Sequence, residues 1–156
     1  MIPQDVKQAF RMMGNAIFVV TAEHNGVVRG FTASWLAQAS YENPYVMASF
    51  SKKHDTYQLI AASGQFTVNV LSKVQVQVSK HFGRKSGGPD EPDYLAGYGK
   101  ETPFLIPGAL AALQCQVVGT LDAKDHTVFL ARVTAARAGE EGEPLFWWQR
   151  DGYVEG

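Results

Sequence analysis

The dipeptide Asn25-Gly26 constrains this chain more than any other short stretch. It separates two apolar runs, "NAIFVVTAEH" before it and "VVRGFTASW" after it. A two-residue hairpin loop needs positive φ where its twist must match the flanking strands, and Asn-Gly tolerates that best. The chain therefore opens its sheet with an antiparallel pair. "PYVMASF" and "QFTVNVL" read as two more strands. "ALAALQCQVVGTLDA", "HTVFLARVTAARAG" and "PLFWWQRDGYV" are three further strand-like segments.

Helices are few and short. "PQDVKQAFRMMG" places Val6, Phe10 and Met13 on one face, with Gly14 as a C-terminal stop. "DTYQLIAASG" has capping-box spacing at Asp55 and Gln58 and ends at Gly64. "SKVQVQVSKHF" has the same spacing at Ser72 and Gln75 and is read as a helix, although its Val-Gln alternation also fits a strand. The stretch "GRKSGGPDEPDYLAGYGKETP" is a long loop. Many short strands with a few short helices predict a mainly β fold, a closed antiparallel barrel in a single domain over residues 1–156.

Composition excludes several classes. With 46% hydrophobic and 19% charged residues the chain can bury a core without staples. Its net charge of −1 gives no global pull toward nucleic acid or an anionic membrane, so any phosphate must be held by a local site. No stretch is apolar enough over bilayer length to span a membrane. The start, "MIPQDVKQAF", has no charged-then-apolar leader, and the expected compartment is the cytoplasm. The single cysteine, Cys115, lies in an alternating apolar run and is expected to be a buried thiol.

Four stretches bear chemistry. In "SKKHDTYQLI", Lys52, Lys53 and His54 precede a helix whose first turn holds Thr56, so free N–H groups and the helix dipole favour an anion there; a solvated basic turn is the alternative. In "GFTASW", Thr32 and Ser34 end an apolar strand and can present polar groups to the edge of a planar ligand, or simply end the strand. In "FTVNVL", Asn69 must be satisfied inside an apolar strand, by neighbouring backbone or by a ligand. In "KDHTVFLARV", Asp125 shapes a turn and His126 points into a cleft, or lies on the surface. The other histidines show no metal-ligand spacing with it, and no nucleotide-binding glycine pattern or nucleophile elbow is present.

In this order, "TASW", "SKKHDT", "FTVNVL", Gln75 with "KHF", "IPGALAALQC" and "KDHTVFLARV" resemble the flavin reductase-like family with the FMN-binding split-barrel fold. The resemblance covers nearly the whole chain. It implies an antiparallel split β-barrel that forms a homodimer and binds FMN, or FAD, near the subunit interface. Thr32, Ala33, Ser34, Trp35, Ser49, Phe50, Ser51, Asn69, Val70, Leu71 and Phe82 would line the flavin. Lys53, His54 and Thr56 would take its phosphate, and His126 would lie by the nicotinamide of NADH or NADPH. Electrons would pass on to an acceptor protein or a monooxygenase component. A carrier with tightly bound flavin and a ligand-binding barrel without turnover are the alternatives. Two departures stand out: Lys124 replaces the family's glycine before Asp-His, and Ala131-Arg132 replaces a later one. Trp147, Trp148 and Tyr153 are candidates to cap the flavin or to form core or dimer contacts; since adjacent strand residues face opposite ways, one tryptophan must look away from the barrel core.

Overall fold

A computed structural model describes residues 1–84, 92–149 and 152–154. The first hairpin forms as expected. β2 (Phe18–His24) pairs with β3 (Val27–Ala33) around Asn25 and Gly26, whose φ values are 50° and 79°. β4 (Leu36–Gln38), β5 (Tyr45–Ser51), β6 (Gln65–Val70), β7 (Ala111–Ala123) and β8 (His126–Ala138) complete a seven-stranded sheet in the order β3-β2-β6-β7-β8-β5-β4. Every pairing is antiparallel. The two edge strands, β3 and β4, are separated in the chain only by Ser34 and Trp35. The sheet must therefore curl until its edges meet, and Phe31 of β3 does meet Phe50 of β5, ring centroids 5.1 Å apart.

The curl encloses one apolar cluster. Val20, Phe31, Phe50, Phe66, Cys115 and Phe129 belong to it, each from a different strand, with Ile60 from α2 (Asp55–Ser63). Burial pushes the Cys115 thiol up to about 12, so it stays protonated and inert. A second cluster lies on the outside, between the sheet and α3 (Val76–Phe82), and includes Ile17, Val19, Leu71, Phe82, Phe104, Ile106 and Leu145. Beside it runs a small sheet of β1 (Gly14–Ala16), β9 (Phe146–Trp148) and β10 (Gly152–Val154).

Several local expectations are corrected. α1 (Gln4–Phe10) stops before Gly14, which is a strand residue instead; Phe146 and Trp148 lie so close over it that a Cβ would run into their rings. Val6, Phe10 and Met13 are exposed. Asp55 does not cap α2, because the turn before it makes His54 the capping residue and no side chain bonds the free N–H groups. At Ser72 only half a capping box forms. Gln75 Oε1 accepts the Ser72 N–H at 2.9 Å, while its Nε2 donates to the Pro107 carbonyl at 3.0 Å. Among the described residues the Ser72 hydroxyl finds no partner. The Val-Gln stretch is helical only from Val76, with Gln75 at the N-cap, and Val76, Val78, Ser79 and Phe82 are buried. Trp147 packs on the outer cluster, whereas Trp148 lies against Phe146 at 5.5 Å on the other face of β9. The tryptophan pair thus serves the small sheet. Of the long loop, residues 85–91 lie outside the described residues; beyond them Tyr94 packs on His81 and Phe82.

Candidate functional site

The seam where β3 runs into β4 opens into a cleft of about 160 Å³, lined by Phe31, Thr32, Ala33, Ser34, Trp35, Ser49, Ser51, His54 and His126. Three separate parts of the chain meet there. The end of β3 and the two residues after it deliver "FTASW", and β5 delivers Ser49 and Ser51 on its outward face. β8 delivers His126, which pairs in register with Ser51. Strand alternation selects these residues: Ala48 and Phe50 point into the core, so Ser49 and Ser51 point out.

Two ring pairs form the walls. His54 stacks on Phe31 with centroids 4.4 Å apart and planes 23° apart, and Trp35 leans over His126 at 5.0 Å. Burial lowers the His54 pKa; repulsion from His126 lowers it further, and Asp55 partly opposes both. His54 is therefore neutral at neutral pH. The His126 ring bonds Asp125 through Nδ1 at 3.0 Å, and that bond holds the Asp125 carboxyl below the usual range. An ionised carboxylate only accepts, so Nδ1 carries the proton and Nε2 is the free nitrogen.

The turn that carries His54 is fastened to the β7–β8 hairpin. Lys52 N–H donates to the Asp125 carbonyl at 3.0 Å, and Lys52 Nζ pairs with Asp122 at 2.6 Å. The hairpin tip holds Lys124 at φ 70°, where a glycine would be unstrained; this explains what the departure at that position costs locally. Thr32 is tied as well. Its hydroxyl donates to the Ser79 carbonyl of α3 at 2.6 Å, and Ser79 Oγ bonds the Tyr153 hydroxyl at 2.8 Å.

Eight of the anticipated residues thus share one cleft: Thr32, Ala33, Ser34, Trp35, Ser49, Ser51, His54 and His126. The others do not line it. Phe50 is a core residue held edge-on between Phe31 and Phe66. Thr56 is only 2% exposed and faces inward, and Lys53 is exposed beside the cleft. Asn69 is fully buried and uses both ends of its amide: Nδ2 donates to the Phe104 carbonyl at 3.0 Å and Oδ1 accepts the Ile106 N–H at 2.7 Å. Val70 accepts the Leu110 N–H, and Leu71 is sealed within the outer cluster. Phe82 lies over Gly30, where a Cβ would stand 2.9 Å from its ring. Of these seven, Phe50, Thr56, Asn69, Leu71 and Phe82 are buried within the subunit. Phe31 is the residue that was missed: its stretch was singled out, but nothing in the strand pattern tells that a core-facing phenylalanine also floors a cleft.

Comparisons with known proteins show the family. The family model described as "Flavin reductase like domain" matches residues 10–155, and the chain belongs to that family. The reductase component of 4-hydroxyphenylacetate 3-monooxygenase from Thermus thermophilus is 33% identical over 92% of this chain and 91% of its own length. The styrene monooxygenase flavin reductase of Pseudomonas putida S12 superposes with a TM-score of 0.82 at 29% identity, covering 97% of this chain and 96% of that one. The NADH:FAD oxidoreductase SgcE6 of Streptomyces globisporus C-1027, solved in complex with NAD and FAD fragments, has a TM-score of 0.79 at 28% identity over 92% of this chain and 87% of that one.

Proposed function

We propose that the protein is an NAD(P)H-dependent flavin reductase that works as a homodimer, binds FMN or FAD at the β3–β4 seam, and supplies electrons to a monooxygenase component or similar acceptor protein in the cytoplasm. The observation that carries this is the convergence of Thr32 to Trp35, Ser49, Ser51, His54 and His126 on one cleft in a chain of this family. The aromatic walls suit a planar ring system, and the serine hydroxyls suit its polar edge. A bound flavin would supply the hydride chemistry. The protein's own residues then have three tasks: to hold the ring, to orient the nicotinamide, and to keep bulk water from the reacting faces. His126, with its Nδ1–H fixed by Asp125, turns Nε2 toward an incoming donor and positions it.

Two features support a second subunit. The cleft is smaller than the roughly 300–1,000 Å³ of ordinary ligand sites, so a three-ring ligand needs a further wall. The outward face of β5 and β8 continues from the cleft into exposed apolar residues, with Met47 (47% exposed) opposite Leu130 (38% exposed). Leu121 and Val118 extend the stripe onto β7. Among the described residues no helix is long and apolar enough to cross a membrane.

The test begins with the visible spectrum of purified protein, followed by anaerobic NADH and NADPH with and without added FMN or FAD. Rapid bleaching of flavin by either nucleotide is expected. Yellow protein that neither nucleotide bleaches points to a carrier instead, and colourless protein indifferent to added flavin overturns the proposal.

A further inference from the structure

A second cavity lies in a groove between α2 and the β7–β8 hairpin. Its volume is about 460 Å³, against about 160 Å³ for the cleft, and the two share no lining residue. The groove is pinned at both ends. At one, Lys52 Nζ pairs with Asp122 at 2.6 Å; at the other, the Gly64 carbonyl after α2 accepts the Val117 N–H at 2.8 Å. Its floor is apolar, made by Ile60, Val117 and Phe129, and the Tyr57 ring stands 5.9 Å from that of Phe129. Polar groups are few. The Tyr57 and Thr127 hydroxyls bond each other at 2.8 Å, and among the described residues neither has another protein partner. Two hydroxyls bring two protons and their mutual bond uses one, so the pair can still donate once and accept. The hydrogen bond between Lys52 and Asp122 raises the Lys52 pKa and lowers that of Asp122, so both are charged at neutral pH and their charges cancel at the rim.

We propose that this groove is an effector site for a small neutral phenol, a single ring carrying one hydroxyl. Each feature selects part of that description. The apolar floor and the Tyr57 ring take the flat ring. A ligand hydroxyl, which itself donates once and accepts, completes the Tyr57–Thr127 pair. A carboxylate would lose water over an apolar floor with no uncompensated cation to receive it. The groove also has a lever on the cleft. Thr127 follows His126 on β8 and Lys52 follows Ser51 at the end of β5, so a ligand here bears on both segments that carry cleft residues. Touching α2 and β8 together, it ties them more firmly and favours the placement of His126 that receives the donor; donor and effector then raise each other's affinity. The regulatory part rests on the flavin-reduction reading above, and the binding part does not.

The experiment titrates the protein, with and without FMN, with 4-cresol and with benzoate, and follows the backbone amide resonances. The cresol should move the amides of Tyr57, Ala61 and Val117 saturably, and benzoate should bind about tenfold more weakly or not at all. Ala61→Leu puts a larger side chain into the groove from the exposed side of α2. It should weaken cresol binding about tenfold and leave reduction by NADH unchanged in the absence of cresol. Ala62→Leu, one residue on and outside the groove, should bind cresol like the wild type. Tyr57→Phe should lose about threefold to tenfold through the missing hydroxyl. In steady state, cresol should lower the KM for NADH about fivefold in the wild type and not in Ala61→Leu. Shifts confined to the cleft residues Trp35 and Ser49 overturn the site, and so does equal affinity in Ala61→Leu and the wild type. Binding in the groove with an unchanged KM overturns the effector role. If cresol binds in the groove but NADH reduces no flavin, the flavin reading and the effector role fall while the site stands. If Ala61→Leu does not fold, Ala61→Met decides in the same way.

Discussion

The ends of β3 and β6 look alike in sequence and do different work. Both are apolar strands interrupted by a polar residue, Thr32 in "GFTASW" and Asn69 in "FTVNVL", and they flank β2 on its two sides. At β6 the polar residue is closed off. The segment carrying Phe104 and Ile106 folds over the strand and occupies both ends of the Asn69 amide. At β3 the covering layer takes the Thr32 proton, and the chain then leaves the sheet at the seam, where among the described residues the Ser34 and Trp35 N–H groups donate to no protein group. A polar residue in an apolar strand thus becomes a site or a structural pin according to how much of its hydrogen-bonding capacity the next layer uses.

The largest effect expected from that contrast is on stability. Asn69→Leu leaves a buried carbonyl and a buried N–H unpaired, which should cost about 3 kcal/mol, whereas Thr32→Val loses one part-buried bond and should cost about 1 kcal/mol. Urea unfolding of both variants measures the difference. Equal losses would mean that the two strand ends are equivalent pins, and the distinction between them would fall.

That difference was beyond the sequence for a physical reason. Periodicity reports which face of a strand a residue takes, and in the fold Ser49, Ser51 and His126 share the outward face of β5 and β8 while Phe50 points into the core. It does not report what lies above that face. The Phe104–Ile106 segment is some 35 positions from Asn69 along the chain, and Ser79 is 47 from Thr32. The Asn25-Gly26 hairpin was legible because its cause is local, two adjacent residues at positive φ. The capping box at Asp55 failed for the same kind of reason in reverse: the spacing was right, but the turn tied to Asp125 shifted the helix start by one residue. The two tryptophans, candidates for flavin, core or dimer contacts, lie on the small three-stranded sheet, which short strands announce poorly, and Trp147 packs on the outer cluster.

Inside the cleft the comparison sharpens into rim against wall. Lys53 lies on the exposed rim at the start of α2, and a charge-assisted contact with a flavin phosphate should be worth about 1.5–3 kcal/mol, roughly tenfold to a hundredfold in affinity. Lys53→Ala should therefore weaken FMN binding far more than Lys80→Ala, an exposed lysine on α3, does. Fluorescence titration of both variants measures this, and equal losses would move the phosphate elsewhere. (Lys85, another basic residue of the chain, lies outside the described residues.) His126 on the wall should behave oppositely. His126→Ala should spare flavin affinity and slow reduction by NAD(P)H about tenfold, on the order of 1.4 kcal/mol in the barrier. Dithionite, which needs no docking, should reduce the variant at the wild-type rate. Stopped-flow reduction with both reductants separates the cases: loss of flavin binding would put His126 among the residues that hold the ring.

The smallest effect comes from setting the two hairpin turns side by side. Asn25-Gly26 uses residues suited to positive φ, whereas the β7–β8 turn holds Lys124 at φ 70°, a conformation that costs a side-chain-bearing residue roughly 1–2 kcal/mol. Glycine there removes the strain but gives the unfolded chain more freedom, worth roughly 0.5–1 kcal/mol. Lys124→Gly should therefore stabilise the protein by only about 0.5 kcal/mol, the difference between those two terms. The fastenings beneath the tip are unaffected, since the Lys52 N–H bonds the Asp125 carbonyl and Asp125 bonds the His126 ring without any part of the Lys124 side chain. Flavin affinity should accordingly stay at the wild-type value. Urea midpoints read the first quantity and FMN titration the second. A variant that is less stable than the wild type would show that Lys124 makes a contact that outweighs its strain. One that gains stability but is reduced more slowly by NAD(P)H would show that the strained residue serves the donor, and that this turn, unlike the first, is shaped by what it faces.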